Sequence, residues 1–242
     1  MADGKPKSYG LLLFPGFEVL DAAGPVEILN VLSNYFSESH AEFKDIKLSV
    51  IAQTMDPVDP GPFGTSIIGK SFTGQQLYKP THSFETAPVL DVLIVPGGRG
   101  ASRTDGGDEG LLNFISKTYH GSDGKPPLKY LFSICTGSDL FAKAGVLDGH
   151  KATTNKRAWA RVTPHGPKTY WIAKARWVES GNIWTTSGVT AGIDGMLALV
   201  AKIYGEKFAK DASDIIEHTR AKDAGDDPFA DENGCKDVEP VK

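Results

Sequence analysis

The chain has little cysteine: two in 242 residues, Cys135 and Cys235. Two thiols do not build a disulfide framework, and such sparse use fits a reducing compartment, so a cytoplasmic protein is expected. Long apolar runs are missing too. Nothing in the sequence approaches the roughly 20 residues that a membrane-spanning helix needs, and Met1 to Lys7 contain no apolar signal region. Charge is nearly balanced, 26 Lys and Arg against 30 Asp and Glu for a net charge of -4, without a long run of either sign. The balance therefore calls for neither nucleic acid nor membrane as a partner. No clustered ligand spacing suggests a metal, and no fingerprint suggests a phosphate-bound cofactor.

What is present is enough to bury a core: 40% of residues are hydrophobic and 23% charged. No internal repeat and no linker divides the chain. A single domain over 1–242 is expected, with its core at about 8–222 and a polar tail at 223–242 that is loosely held or extended over a neighbouring surface. Continuous apolar runs at Ser8–Phe14, Ile46–Ala52, Val89–Val95 and Tyr130–Ile134 read as buried parallel strands. Helical periodicity follows at Val26–Leu32, with Pro25 at its first turn, at Gly110–Tyr119, at Asp139–Gly145 and at Ile193–Tyr204, and a last helix is expected near Ala212–Lys222. Residues 53–80, rich in Gly, Pro and Thr around Ser66–Gly69, predict a short hairpin or an irregular insert. Ala152–Asn155 looks like a short strand end, and Ser180-Gly181-Asn182 a hairpin turn into Ile183–Thr186. Alternating strands and helices imply a doubly wound, largely parallel α/β sheet.

Chemistry concentrates where the run Tyr130–Ile134 stops at Cys135-Thr136-Gly137-Ser138 and a helix begins. On such a strand-turn-helix elbow a nucleophile stands clear of the sheet, beside backbone N–H groups and a helix dipole that favour a thiolate. The same pattern also suits a small, inert, buried thiol. Asp21 falls in the loop after the first strand, at the sheet end where α/β proteins bind ligands, although Asp is equally a helix cap or turn residue. After Val95-Pro96, Gly97 and Gly98 allow close backbone approach, and their N–H groups could form one side of an anion hole. Asp194 opens the helix Ile193–Tyr204, where the helix dipole accounts for an acid. Trp159, Trp171, Trp177 and Trp184 could line an apolar pocket or simply pack in the core.

Four stretches in order go further: Leu12–Pro15 with Leu20–Pro25, Val95–Gly98, Ser133–Ser138 and Thr185–Asp194. Together they resemble the DJ-1/PfpI superfamily, and within it the isocyanide hydratase branch, over about Tyr9 to Tyr204. The resemblance implies a flavodoxin-like three-layer α/β sandwich with helices on both faces of a mostly parallel sheet, usually a homodimer. It matches Cys135 to the nucleophile, Asp21 to the acid that faces it, Thr136 to the residue after the nucleophile, and Gly98, with Gly97 beside it, to the anion hole. The implied activity is a cofactor-independent hydro-lyase that converts an isocyanide to an N-substituted formamide, with a small molecule as substrate. Two departures bear on this. No histidine follows Cys135, as it would in the protease and glyoxalase branches, and Asn155-Lys156 stand where bacterial isocyanide hydratases carry His-Trp. A glyoxalase-like lyase and a cysteine redox sensor are the alternatives. A regulator with an appended helix-turn-helix is set aside, because too little chain follows Tyr204.

Overall fold

A computed structural model describes residues 4–61, 76–102 and 109–241. Among them the order is β1 (Ser8–Leu12), α1 (Val19–Phe36), β2 (Lys47–Ala52), β3 (His82–Ser83), β4 (Val92–Val95), α2 (Glu109–His120), β5 (Tyr130–Ser133) and α3 (Gly137–Lys143). There follow β6 (Lys151–Ala152), α4 (Trp159–Val162), β7 (Tyr170–Trp171), β8 (Trp177–Ser180), β9 (Ile183–Thr186), α5 (Ala191–Tyr204), α6 (Glu206–Ile215) and α7 (Phe229–Glu232). The expected strands formed because their apolar runs are covered on both faces: all four residues of β4 and of β9 are buried.

Seven strands make one sheet in the order β3-β2-β1-β4-β5-β9-β8. All neighbours are parallel except β8 and β9, an antiparallel hairpin closed at Gly181-Asn182. The chain steps one way from β1 to β2 and the other way from β4 to β5. Right-handed crossovers therefore place α1 and α2 on opposite faces. The helices sort accordingly, α1 with α5 and α6 in one layer and α2 with α3 in the other. The result is the expected three-layer α/β sandwich, with its direction switch between β1 and β4, where such sheets open a crevice at the strand ends.

Several local expectations are corrected. Asp21 lies in the first turn of α1, not in a loop, and Pro25 sits inside that helix rather than at its start. Proline deprives only the Asp21 carbonyl of its helical partner, and the helix survives because its buried side packs on the core. Gly24 makes that packing close, since a Cβ there would stand 2.9 Å from Ile193 Cγ1. The last long helix is Glu206–Ile215, ending before the expected Lys222: Gly205, at φ 106°, breaks it from α5, and Glu217, at φ 52°, follows its end. In the insert, Val58 and Tyr78 pair antiparallel as a hairpin would, whereas Ser66–Gly69 lie outside the described residues. Trp171 and Trp184 are core residues and Trp159 packs edge-on against Trp171.

The tail is not loose. Residues 223–241 run over the chain's own surface as a strap, Val238 pairing with Trp171 at the edge of β7 through hydrogen bonds of 2.9 and 3.0 Å. Asp237 accepts from the Ala173 N–H at 2.7 Å, and the Lys236 carbonyl accepts from Trp159 Nε1 at 3.1 Å. No helix among the described residues is long and apolar enough to cross a membrane.

The β5–α3 turn presses against β4 so closely that a Cβ on Gly137 would sit 2.4 Å from the Val95 carbonyl oxygen. Gly137→Ala is therefore expected to lower stability by about 1–3 kcal/mol, the usual cost of overpacking, read as a lower urea midpoint at unchanged slope.

Candidate active site

Cys135 is the residue on which the strand turns. Its φ is 54°, a left-handed backbone that non-glycine residues adopt at a cost of about 1–3 kcal/mol. Neighbours hold it there. The Cys135 N–H donates to the Ser187 carbonyl at 2.9 Å, and its own carbonyl accepts from Thr154 Oγ1 at 3.1 Å and Ser138 Oγ at 3.2 Å. Cys135 is 7% exposed.

Asp21 faces it from α1 and is fully buried. Its Oδ2 accepts the Gly97 N–H at 2.8 Å, while Oδ1 has no hydrogen-bond partner. Burial pushes the Asp21 carboxyl up to about 7, with the nearby Glu18 adding to the rise against the opposing Gly97 hydrogen bond. Burial, reinforced by the Asp21 charge, pushes the Cys135 thiol up to about 12. The two groups therefore hold at least one proton between them at neutral pH. A thiolate forms at least cost when that proton rests on Asp21.

The expected anion hole is built differently. The Gly98 N–H donates to Thr136 Oγ1 at 3.0 Å, and that hydroxyl in turn donates to the Gly98 carbonyl at 3.1 Å. With Gly97 engaged by Asp21, both glycine N–H groups and the Thr136 hydroxyl already have partners inside the protein. Glycine at 97 is nonetheless required, because a Cβ would lie 2.5 Å from the Thr136 nitrogen. The groups that do favour a charged sulfur are the backbone N–H of Thr136, that of Val189, and the side chain of Asn155.

Asn155 is the residue whose role its sequence position did not reveal. Its Nδ2 donates to Cys135 Sγ at 3.2 Å. The amide cannot easily turn over, because its Oδ1 accepts the N–H of Arg157 at 2.9 Å and of Ala158 at 3.3 Å as the cap of a short 3-10 turn. The sequence marked Asn155 only as standing where the isocyanide hydratases carry a histidine, and an Asn directly before a helical turn is also a cap signature. Asp194, by contrast, does structural work away from the thiol. It is buried and accepts from Arg176 Nε at 2.6 Å, His218 Nε2 at 2.9 Å and the Ala221 N–H at 3.0 Å. A cleft of about 580 Å³ is lined by Asn155, Ser187 and Val189 together with Phe229 and Asn233 of the strap; Cys135 does not itself line it and meets it through the Asn155 amide that donates to its sulfur. No group of three or more metal-ligating side chains gathers among the described residues.

Residues 7–202 match the DJ-1/PfpI family. The chain belongs to it. Isonitrile hydratase of Pseudomonas putida is 33% identical over 96% of this chain and 84% of its own length, which sets the chain in the isocyanide hydratase-like branch. A crystal structure of a ThiJ/PfpI family protein from Pseudomonas syringae superposes with a TM-score of 0.66 at 27% identity, covering 90% of this chain and 81% of that one. Its relatives also include a regulator: the HTH-type transcriptional regulator GbdR of Pseudomonas aeruginosa is 24% identical over 91% of this chain, which spans only 53% of the regulator.

The raised carboxyl has a stability consequence whose sign is fixed. An unfolded Asp ionises near 3.9, whereas Asp21 in the fold is pushed up to about 7. Its contribution is thus fully present below the unfolded value and is lost as pH rises through about 7. Asp21→Asn, which keeps an acceptor for the Gly97 N–H, is expected to gain in Tm relative to the wild type at pH 8 and not at pH 4, measured by calorimetry.

Proposed function

We propose that this protein hydrates an isocyanide to the N-substituted formamide, with Cys135 as nucleophile and Asp21 as the group that moves the proton. The observation that carries the reading is a buried thiol on a left-handed elbow beside a buried carboxyl pushed up to about 7, in a chain similar to an isonitrile hydratase.

The terminal carbon of an isocyanide is both electrophilic and basic, so it can take a nucleophile and a proton at one atom. Transfer of the thiol proton to Asp21 gives the reactive form. The sulfur lone pair then bonds to that carbon while the Asp21 carboxyl delivers its proton there, giving a thioimidate and a carboxylate. The carboxylate next removes a proton from water as its oxygen attacks the same carbon, and passes that proton to the nitrogen. Collapse of the tetrahedral adduct breaks the C–S bond, expels the Cys135 thiolate, returns the hydroxyl proton to Asp21 and releases the formamide. One water is consumed and no electrons leave the pair. The N–H groups of Thr136 and Val189, with Asn155 Nδ2, favour the sulfur when it is charged. Thr136, not a histidine, follows Cys135, which favours hydration over the glyoxalase-like alternative, while the Asn155 amide donates to the sulfur at 3.2 Å.

Turnover of cyclohexyl isocyanide, followed as formamide, is expected from the wild type and absent from Cys135→Ala. Asp21→Asn should lose about 10²–10⁴-fold, the range of general acid–base catalysis. The same variant relieves the charge that opposes thiol ionisation, so iodoacetamide should modify its Cys135 at a lower pH than in the wild type. Slow turnover with a readier thiol marks Asp21 as proton carrier. A wild type with a reactive thiol and no formamide overturns the substrate assignment.

The acid limb follows from the same pair. Adding a second proton as pH falls through about 7 leaves a thiol facing a neutral acid with no base to ionise it. Wild-type kcat/KM is therefore expected to decline below about pH 7, and a profile flat from pH 5 to 8 would contradict the shared-proton form.

A further inference from the structure

Residues 223–241 bury only two side chains, Asp227 and Ala230. A segment docked by the hydrophobic effect would bury more apolar surface than one alanine. The strap's fixed point is instead an ion pair, Asp227 Oδ2 to Lys156 Nζ at 3.2 Å, with both side chains almost wholly inaccessible. The other partners of that ammonium are neutral: Thr153 Oγ1 at 2.6 Å, the Ala175 carbonyl at 2.9 Å and the Thr154 carbonyl at 3.2 Å. Asp227 is its counter-charge, and a buried cation without one is strongly unfavourable.

Lys156 directly follows Asn155, whose amide points at the Cys135 sulfur. Fixing the ammonium therefore fixes the backbone from which that amide projects. The remaining freedom is small. Asn155 Oδ1 is held by two backbone N–H groups, and Gly188 lies so near that a Cβ there would be 2.9 Å from Nδ2. The strap closes on the same stretch at further points, the Cys235 thiol reaching the Lys156 carbonyl at 3.4 Å and the Arg176 N–H donating to the Ala224 carbonyl at 2.6 Å. Phe229, 48% exposed, stands on the rim of the cleft.

We infer that the C-terminal strap is a working part of this site: the Asp227–Lys156 pair positions the Asn155 amide against Cys135, and Phe229 limits the size of what enters the cleft. Lys156 and Asp227 are positioning residues, since neither touches the sulfur, and Phe229 sets specificity. The inference rests on Cys135 being the reactive group proposed above, but not on an isocyanide being its substrate. The titratable groups that bear on the thiol are Asp21 and, through it, Glu18. Those that bear on the clasp are Cys235, which faces Lys156, and Lys174, which acts on Asp227 from outside.

The test reads the thiol directly, as the rate of Cys135 alkylation by iodoacetamide at pH 8 in the full chain, followed by peptide mass spectrometry so that Cys235 is scored separately. Loss of a donor to the charged sulfur lowers the thiolate fraction at a given pH. Asp227→Asn is expected to slow alkylation about tenfold, and Asn155→Ala by a similar factor. Tyr9→Phe, which removes a remote hydroxyl contact to Tyr204 of 2.7 Å, should lower Tm without changing that rate, separating positioning from general stability. Phe229→Ala, an exposed position that does not threaten folding, is expected to speed modification by N-cyclohexylmaleimide severalfold relative to iodoacetamide. An unchanged rate in Asp227→Asn while Asn155→Ala slows it overturns the positioning role. Should Asp227→Asn not fold, an unchanged reagent ratio in Phe229→Ala overturns the strap's part in the site. Failure of the wild type to turn over isocyanide, with these thiol results intact, would count against the substrate alone.

Discussion

The backbone at Cys135 can stay left-handed only because both of its peptide groups are held from outside the turn. Ser187 takes the N–H, and Thr154 and Ser138 take the carbonyl. These partners come from the end of β9, from the segment after β6 and from the start of α3. The cost of the strained residue is thus carried by contacts that exist only in the finished fold. The requirement spreads to the glycines: Gly97 and Gly137 lie where any Cβ would collide with the elbow or with β4. The parallel sheet brings β4, β5 and β9 side by side, and the strand ends then deliver the backbone groups that fix the turn.

Placing a carboxyl and a thiol together in a dry interior gives them a property that neither has in water. The Asp21 charge penalises a charged sulfur, the Cys135 hydrogen bond favours the charged carboxylate, and burial penalises both. The outcome is a pair that keeps a proton at neutral pH, held on the sulfur in preference to the oxygen, as a thiol pushed up to about 12 beside a carboxyl at about 7 requires. Asp21 reaches this position from the first turn of a long helix packed on α5, which makes its location as rigid as the core itself.

The sequence was most readable where burial alone dictates structure. The strands β1, β4 and β5 appear as apolar runs because both of their faces are covered, β2 keeps its run although Lys47 and Leu48 are exposed, and the elbow appears because such a run halts at Cys135. Asp21 was harder to place. Pro25 suggests a helix start, yet a helix with a well-buried side tolerates the loss of one hydrogen bond. Gly97 and Gly98 were located by their place at the end of a buried strand and by the family resemblance, but the partners of their N–H groups depend on where Asp21 and Thr136 lie in space. The clasp between Lys156 and Asp227 joins residues far apart in the chain, and neither has a local pattern that announces the other. Read as composition, the tail is merely polar. Only the tertiary arrangement shows that its one buried charge answers a lysine beside the reactive centre.

The hydrogen bonds of Gly97 and Gly98 have a chemical corollary. With those two donors engaged inside the protein, the groups that still favour negative charge at the elbow are the N–H groups of Thr136 and Val189 and the Asn155 amide, and all three act on the sulfur. Support for charge is thereby concentrated where a thiolate would form and not at Gly97 and Gly98, whose N–H groups serve Asp21 and Thr136.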